Sequence, residues 1–177
     1  DLLNGPPGSE LIIELPPEAR FTPGVRRATI CRMLPPLYRK IAKASRDKKW
    51  WRPYSPHVFG EERAISDYLA TYPERLEEGL QPHTSREVRE KVFPDKTRAD
   101  VLLLDRAGKP VIVECKQGLP TKENVTQLRD YLGHGRREFG DYPRGILVHG
   151  GDGVLPATVR RAIRKHPRIE VVRYSFA

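Results

Sequence analysis

The pattern of apolar and polar positions changes character near residue 60. Before that point, Pro and Gly interrupt the apolar runs, and only "ELIIEL" has the pattern of a short strand and "LPPLYRKIAKASRDKKWWRP" that of a short helix. After it, apolar residues recur with the periods of helices and strands. We therefore divide the chain into an N-terminal basic, partly irregular arm or partial domain, residues 1–59, and a folded domain, residues 60–177.

Helices and strands alternate through the second part. Ile65 and Leu69 share the apolar face of a helix that ends at Pro73, and strands are predicted in "GLQPHTSREVREKVF", "VLLL" and "VIVE". A helix follows in "TKENVTQLRDYLGHG", with Thr121 as its N-cap and Gly133 just past its end. The strand "RGILVHG", the helix "LPATVRRAIRKH" and the strand "IEVVRYSF" complete the pattern. This order predicts an α/β domain in which helices flank a mixed sheet.

The hairpin of "VLLL" and "VIVE" places two acids opposite each other. If its turn is Asp105 to Lys109, the numbers of paired residues add up to 214, and Asp100 faces Glu114. The Cβ atoms of such a pair lie about 4.5 to 5.5 Å apart on one face of the sheet. Because side chains alternate along a strand, Lys116 projects to the same face and Cys115 to the other. Two carboxylates and an ammonium group are thus expected at one end of the sheet.

Opposed carboxylates destabilise a hairpin unless a cation lies between them. Mg²⁺ or Mn²⁺ prefers oxygen ligands and is commonly held by one or two carboxylates together with substrate phosphate. Asp100 and Glu114 would be the side-chain ligands, and the backbone carbonyl of Cys115 is placed to add a third oxygen. Lys116 would orient a nucleophilic water or neutralise charge on a phosphate. The alternative is a pair of solvated strand ends, or an ordinary ion pair between an acid and the lysine.

Composition narrows the class of protein. With 177 residues, 38% of them hydrophobic and 31% charged, the chain is long enough for one good core, and no apolar run reaches the length of a membrane span. The net charge is +9, of which residues 1–60 contribute +6. Such an excess indicates a polyanionic partner without separating DNA, RNA and anionic lipid.

The basic excess is densest in residues 39–52, which contain two adjacent tryptophans near their end. A basic arm with aromatic rings can bind phosphates and stack on unpaired bases. The residues that we assign to this contact are Lys49, Trp50, Trp51 and Arg52. The alternative is a solvated helix face whose tryptophans dock on the main domain.

Other reactive side chains are interpreted as structural. Cys31 and Cys115 form no dense disulfide framework, and no secretory signal is visible, so a reducing intracellular setting is expected. The histidines lack metal-ligand spacing with the cysteines, and we interpret each as a surface or loop residue. The basic side chains of the "LPATVRRAIRKH" helix, Arg160, Arg161, Arg164 and Lys165, are interpreted as a solvated face, with contact to a nucleic-acid backbone as the alternative.

Several segments resemble one family in the same order. "TRADVLLLDRAGKPVIVECK" resembles the PD-(D/E)xK nuclease motif as it occurs in the NucS/EndoMS endonucleases, with Asp100, Glu114 and Lys116 on its catalytic positions. "GEERAISDYLATYPERLEEGL" is similar to the family's opening helix and puts Glu62 on an acidic position, and "NVTQLRDYL" is similar to its Q-L-x-x-Y helix. The resemblance implies a restriction-endonuclease-like mixed sheet flanked by helices, an αβββαβ core with a further C-terminal helix and strand.

The Q-L-x-x-Y helix also has a physical interpretation. Gln127 and Tyr131 are four residues apart and share a face, while Leu128 and Leu132 lie on the neighbouring face and would pack on the sheet. Gln127 could hold a metal-bound water and Tyr131 a phosphate, or both could bond to nearby backbone. Glu62 would serve a second metal or a bound water, or lie on the helix surface.

Together these observations predict a Mg²⁺- or Mn²⁺-dependent DNA endonuclease. Arg98, two residues before Asp100, is counted among the DNA contacts. RNA is not excluded as a substrate, and a homodimer is left open because breaking both strands often needs two active sites. The resemblance implies DNA repair, with host defence as an alternative that shares the chemistry. The runner-up function is a non-catalytic nucleic-acid-binding or recruitment module on the same fold.

Overall fold

A mixed sheet of seven strands organises the computed structural model, which describes residues 10–16, 56–84 and 88–176. The strand order is β1-β7-β6-β5-β4-β2, and β3 also pairs with β4. Strands β1, β5, β6 and β7 run parallel, whereas β4 is antiparallel to β5, β2 and β3. The strands are β1 (Glu10–Leu15), β2 (Gln81–Pro82), β3 (Arg89–Val92), β4 (Arg98–Leu104), β5 (Pro110–Lys116), β6 (Arg144–His149) and β7 (Ile169–Phe176). The predicted α/β class with a mixed sheet is confirmed.

Helices cover both faces of this sheet. The helices within the described ranges are α1 (Pro56–Thr71), α2 (Lys122–Phe139) and α3 (Ala157–Arg164), with a 3₁₀ turn at Pro73–Arg75. Helix α1 packs Ile65 and Leu69 into one core cluster, and α2 and α3 contribute Leu128 and Val159 to a second cluster on the other face. All four side chains are fully buried. Each such burial contributes about 1.5 to 3 kcal/mol, so the two clusters hold the central strands from both sides.

The hairpin of β4 and β5 has the predicted register. Val101 pairs with Val113 and Leu104 with Pro110, as the turn from Asp105 to Lys109 requires. Asp105 Oδ1 accepts hydrogen bonds from the backbone N–H groups of Ala107 at 2.8 Å and Lys109 at 2.9 Å. Gly108 adopts φ +73°, a left-handed conformation that glycine tolerates without steric cost. The turn chemistry therefore fixes which residues face each other at the open end of the hairpin.

Helix α2 begins as predicted but ends later. Thr121 is the N-cap of a capping box with Asn124, in which the reciprocal hydrogen bonds measure 3.4 and 2.8 Å. The expected end at Gly133 is wrong, since the helix continues to Phe139 and is capped by Gly140 at φ +74°. A helical glycine costs only about 1 kcal/mol, and Gly135 lies where a Cβ would meet Pro143 at 2.8 Å. Gly135 therefore serves close packing, and Gly140 ends the helix.

One strand comes from the segment that we assigned to the N-terminal arm. Strand β1 pairs with β7, and Leu15 is fully buried in the core. Most of residues 1–59 lie outside the described residues, including Lys49, Trp50, Trp51 and Arg52, so the arm and its nucleic-acid contacts stay predictions. In the part of the chain that the structure describes, none of the helices has the length and apolarity needed to cross a membrane.

Candidate active site at the open end of the central hairpin

Four of the predicted site residues converge where β4 begins and β5 ends. Asp100 Oδ2 accepts a hydrogen bond of 2.7 Å from the backbone N–H of Cys115, which ties the acid to the neighbouring strand. Lys116 Nζ lies 2.8 Å from Glu114 Oε1 and 3.0 Å from Glu62 Oε1. The hairpin supplies Asp100, Glu114 and Lys116, and helix α1 supplies Glu62. Two carboxylates thus contact one ammonium group, and the carboxylate of Asp100 lies near enough to interact with it electrostatically.

The carboxylate of Glu114 is held in an unfavourable environment for a negative charge. Its side chain is 3% exposed, and burial, together with the nearby charge of Asp100, raises its pKa to about 7 against the contrary effect of Lys116. Burial also raises the pKa of Asp100, although the Cys115 N–H bond and Lys116 oppose the rise. The site therefore carries more negative charge than its lysine neutralises.

Lys116 remains protonated in this environment. Burial by itself lowers the pKa of an ammonium group, but the charge and hydrogen bond of Glu114 and the contact with Glu62 outweigh burial. The pKa of Lys116 consequently lies above its ordinary value. Lys116 can act as a fixed positive charge or hydrogen-bond donor, and it is unsuited to accept a proton near neutral pH.

The residues present fit a hard divalent cation. Glu114 Oε2 is buried and has no hydrogen-bond partner among the residues that the structure describes. Asp100, whose charge acts on Glu114, lines a cavity of about 230 Å³ together with Glu62. Within the described ranges, no group of three or more His, Cys, Asp or Glu side chains could hold a metal by itself. A cation here would use Asp100 and Glu114, with the Cys115 carbonyl and water or phosphate oxygens completing its shell, which is how proteins commonly hold Mg²⁺.

Glu62 reaches the site because of its place on helix α1. It precedes the buried Ile65 by three residues and so adjoins the face that packs on the sheet. Its side chain is 36% exposed, and one oxygen contacts Lys116. The structure thereby brings Glu62 to the site, and a ligand role for it stays a prediction.

Gln127 and Tyr131 form a pair on the face of α2 next to the acids. Gln127 Nε2 donates a 2.6 Å hydrogen bond to the Tyr131 hydroxyl. Tyr131 is 4% exposed, and its ring stacks on Phe93 at 5.5 Å between centroids. Burial raises the pKa of Tyr131, and the charges of Glu114 and Asp100 add to that rise, as expected for a hydroxyl close to them. The contact of Gln127 with a metal-bound water and that of Tyr131 with a phosphate stay predictions. Because Tyr131 is buried, only its hydroxyl group could contact a phosphate.

Arg98 lies at the start of β4 with its side chain exposed. Its guanidinium is 3.7 Å from Glu90, a contact of the weak kind that solvent screens. The side chain is therefore free to reorient toward a ligand, and its predicted DNA contact is left as a prediction.

A buried acid that the sequence reading missed lines the same cavity. Asp67 on α1 is 2% exposed and forms an ion pair with Arg89 of β3. Burial raises the pKa of Asp67 in spite of Arg89. The sequence signal was present, because Asp67 is a carboxylate between the apolar positions Ile65 and Leu69 of one helix. Asp67 holds Arg89 at the wall of the cavity that Glu62 and Asp100 share.

The expectation that each histidine lies on the surface or in a loop is wrong for His149. This residue ends β6, is fully buried, and pairs through Nε2 with Glu10 of β1. Its Nδ1 accepts a 3.2 Å hydrogen bond from the Gly151 N–H, so Nε2 is the protonated nitrogen and donates a hydrogen bond to Glu10. Burial lowers the pKa of His149, and Glu10 opposes that change. The partner lies far away in the chain, so no local pattern signals the pair.

Sequence comparison relates half of the chain to one group of curated proteins. Endonuclease NucS of Thermococcus kodakarensis is 35% identical over 89 residues, and that of Pyrococcus furiosus is 34% identical over 89 residues. Each match covers 50% of this chain, and the chain spans about a third of the length of the relatives that it matches. No protein-family model matches the chain.

Solved structures of the same group share the fold. EndoMS in apo form superposes with a TM-score of 0.52 at 29% identity, over 66% of this chain and 46% of that chain. The complex of EndoMS with double-stranded DNA gives a TM-score of 0.52 at 29% identity, over 63% of this chain and 42% of the other. Sequence and structure therefore relate the described domain to the same group of proteins.

Proposed function

Because the chain carries a NucS-like domain of the PD-(D/E)xK type, we propose that it is a metal-dependent endonuclease that hydrolyses phosphodiester bonds of DNA. The observation that carries this proposal is the convergence of Asp100, Glu114 and Lys116, with one buried carboxylate oxygen of Glu114 left open. An ordinary ion pair would match one carboxylate with one cation, whereas three carboxylates here interact with one lysine. An excess of buried carboxylates is instead the arrangement that a divalent cation neutralises.

Each residue has a distinct role in the proposed reaction. Asp100 and Glu114 would hold Mg²⁺ or Mn²⁺ together with the Cys115 carbonyl. A bound cation supplies Lewis-acid polarisation of the phosphate and lowers the pKa of a water. Lys116, protonated and fixed by Glu114 and Glu62, would hold the attacking water in line or neutralise charge on the phosphate oxygens. Glu62 thus positions Lys116 whether or not it also contacts a second cation.

DNA is the proposed substrate because the chain is similar to EndoMS, whose structure in complex with double-stranded DNA is solved, and to the endonuclease NucS. Gln127, Tyr131 and Arg98 would contact the nucleic acid near the cleft, and the basic residues of the N-terminal arm would add affinity that does not depend on sequence. RNA as a substrate, a homodimer with two active sites, an intracellular DNA-repair role and the kind of DNA structure cut are finer proposals on the same basis.

The test is a cleavage assay with labelled single-stranded, duplex, mismatched and branched DNA, with and without Mn²⁺. The wild-type protein is expected to cut at least one of these substrates only when the metal is present, and Lys116→Ala to lose that activity. Lys109→Ala is the matched control, since Lys109 is an exposed lysine of the same hairpin at its other end. Cleavage by Lys116→Ala at the wild-type rate would refute the assignment, and DNA binding without cleavage would favour a non-catalytic module.

A further inference from the structure

Basic side chains in the two halves of the folded domain have different electrostatic partners. Residues 61–128 contain eleven Lys and Arg against thirteen Asp and Glu, whereas residues 129–177 contain ten against five. In the first segment most basic side chains of the strands and the hairpin turn lie within 4.0 Å of a carboxylate: Arg89, Lys91, Arg98, Arg106, Lys109 and Lys116. The positive excess of the folded domain is thus concentrated in its last 49 residues.

A group of exposed cations in the second segment has no such partner. Among the described residues, no carboxylate forms an ion pair with any of the following side chains, which we call the α2–α3 basic face: Arg136, Arg160, Arg161, Arg164, Lys165 and Arg168. Like charges on neighbouring turns destabilise a helix when nothing neutralises them. Their accumulation on one face therefore indicates a polyanion that binds there.

Part of this face is fixed in place around one aromatic ring. The guanidinium carbons of Arg136 and Arg168 lie 5.5 and 5.2 Å from the centroid of the Tyr142 ring. Arg168 Nη1 also donates a 3.0 Å hydrogen bond to the Tyr142 carbonyl. Both contacts restrict the long arginine side chains before any ligand binds, so less conformational entropy is lost on binding.

A cavity of about 200 Å³ opens beside this ring. Its polar lining comes from Arg129 of α2 and from Lys165, His166 and Arg168 of the segment between α3 and β7. The ion pair of Arg129 with Asp130 is exposed, so solvent weakens it. The volume suits a phosphate group and its water rather than a base pair. The charged side chains that line this cavity are all basic, whereas the cavity of the candidate active site is lined by four acids and two arginines.

The basic face is separate from the candidate active site. Tyr142 precedes β6, and Arg168 directly precedes β7. Because β5, β6 and β7 are parallel, these positions lie at the end of the sheet opposite to Glu114 and Lys116. Helix α2 connects the two regions, since Gln127 lies near the acids and Arg136 near its C-terminal end. A linear polyanion that follows α2 would therefore contact both.

We propose that the α2–α3 basic face binds the phosphate backbone of a DNA segment that flanks the cleavage site. The choice of DNA as the ligand rests on the proposed function. The cationic character of the face is observed in the structure and does not depend on that function. Guanidinium groups match phosphate in two-pronged hydrogen bonds, and their binding releases counterions, so the contact is independent of sequence and sensitive to salt. The face holds substrate and takes no part in the chemical step.

The apolar positions of helix α3 favour a nucleic acid over a lipid surface. A helix that lies in a membrane interface inserts apolar side chains between the lipids. Val159 and Ile163 are instead buried against the sheet, and the large exposed hydrophobic side chains of the described residues (Ile12, Tyr72, Val92, Leu119 and Val154) belong to other elements. The exposed side of α3 offers charge without an apolar anchor.

The test measures binding of a labelled duplex by fluorescence anisotropy in EDTA, over a range of salt concentrations. The variant Arg160→Gln/Arg161→Gln/Arg164→Gln removes three charges that make no contact needed for packing in the described structure. The matched control Arg75→Gln/Arg106→Gln/Lys109→Gln changes the net charge equally at exposed positions elsewhere. The first variant is expected to flatten the slope of log K against log salt by about 2 to 3 and to weaken binding by at least about tenfold, whereas the control changes the slope by less than about one.

A second variant completes the test, together with phosphatidylserine vesicles as a second ligand. Lys165→Gln/Arg168→Gln, with its fold checked by circular dichroism, is expected to weaken binding in the same way. With Mn²⁺ and saturating DNA, both variants are expected to keep the wild-type rate of cleavage. Since binding is measured without metal, a wild-type protein that fails to cut would refute the proposed function and leave this test intact. An unchanged affinity and salt slope in the variants, or a loss confined to phosphatidylserine vesicles, would overturn the inference.

Discussion

The two ends of the central sheet each place partly or fully buried carboxylates beside one cation, and they differ in how many carboxylates share that cation. At the start of β6, Arg144 contacts Glu77 at 2.7 Å and Glu170 at 3.1 Å. Burial by itself lowers the pKa of Arg144, but the two acids outweigh burial and raise it. At the other end, Lys116 is shared by Glu62 and Glu114, and Asp100 lies beside them.

The difference separates a structural cluster from a binding site. Arg144 has several donors in a planar fork and faces two carboxylates, although Glu77 Oε2 and Arg144 Nη2 also have no hydrogen-bond partner among the described residues. Lys116 is a compact charge, and it leaves Glu114 Oε2 without a hydrogen-bond partner in the described part of the chain. Two carboxylates beside one arginine are closer to charge balance than three beside one lysine, and the excess at the Lys116 end is what a bound cation would neutralise. The predictions below test this division.

The largest contrast is expected in cleavage. Glu114→Gln removes a proposed ligand of the cation and should lower the single-turnover rate with Mn²⁺ by roughly 1,000-fold, the size of effect seen when charge stabilisation of a transition state is lost. Glu170→Gln makes the same chemical change at the opposite end and should stay within about threefold of wild type. Rates are to be compared at equal fractions of folded protein. Equal losses in both variants would erase the distinction between the two ends.

The two ends should also differ in whether Mn²⁺ restores stability that a substitution removes. Arg144→Ala leaves Glu77 and Glu170 partly buried without their cation and is expected to reduce the free energy of unfolding by about 3 kcal/mol, with or without Mn²⁺. Lys116→Ala is also expected to destabilise the metal-free protein, but Mn²⁺ should restore most of that loss because it neutralises the same acids. Urea unfolding with EDTA or Mn²⁺ checks both. Recovery of Arg144→Ala by Mn²⁺ would contradict the assignment of the cation to the other end.

A smaller effect is expected in the pH dependence of metal-free stability. The pKa of Glu114 is raised in the folded protein from an ordinary 4.5 to about 7, so between these values the folded state keeps a proton that the unfolded state has lost. Stability due to this group is therefore greatest below the lower value and falls as pH rises to about 7. Relative to wild type, Glu114→Gln should gain on the order of 2 kcal/mol between pH 4 and 8 in EDTA. A constant difference across this range would show that Glu114 titrates normally.

The central hairpin could be predicted because its determinants are local. The turn from Asp105 to Lys109 fixes the register, and the register decides that Asp100 and Glu114 share one end of the sheet. The N-cap at Thr121 is local as well, since its partner is three residues away. In each case the residues that determine the structure lie within one short segment, so their pattern is visible in the sequence.

Contacts between distant segments could not be predicted in this way. His149 is buried because β1 joins the sheet beside β7 and brings Glu10 to it. The Arg144 cluster combines residues of three separate segments, and nothing near Arg144 in the sequence marks it. The predicted end of α2 is wrong because Gly133 and Gly140 look alike in the sequence, and only the left-handed conformation of Gly140 distinguishes them. These features depend on tertiary structure that local patterns do not contain.

The central claim, that Asp100 and Glu114 together hold a divalent cation, is tested most directly by isothermal titration calorimetry with Mn²⁺. The wild-type protein and Glu170→Gln are expected to show the same saturable binding. Asp100→Asn and Glu114→Gln are each expected to abolish it while circular dichroism shows that the fold is kept. Absence of binding to the wild-type protein, or binding that survives in both acid variants, would contradict the account.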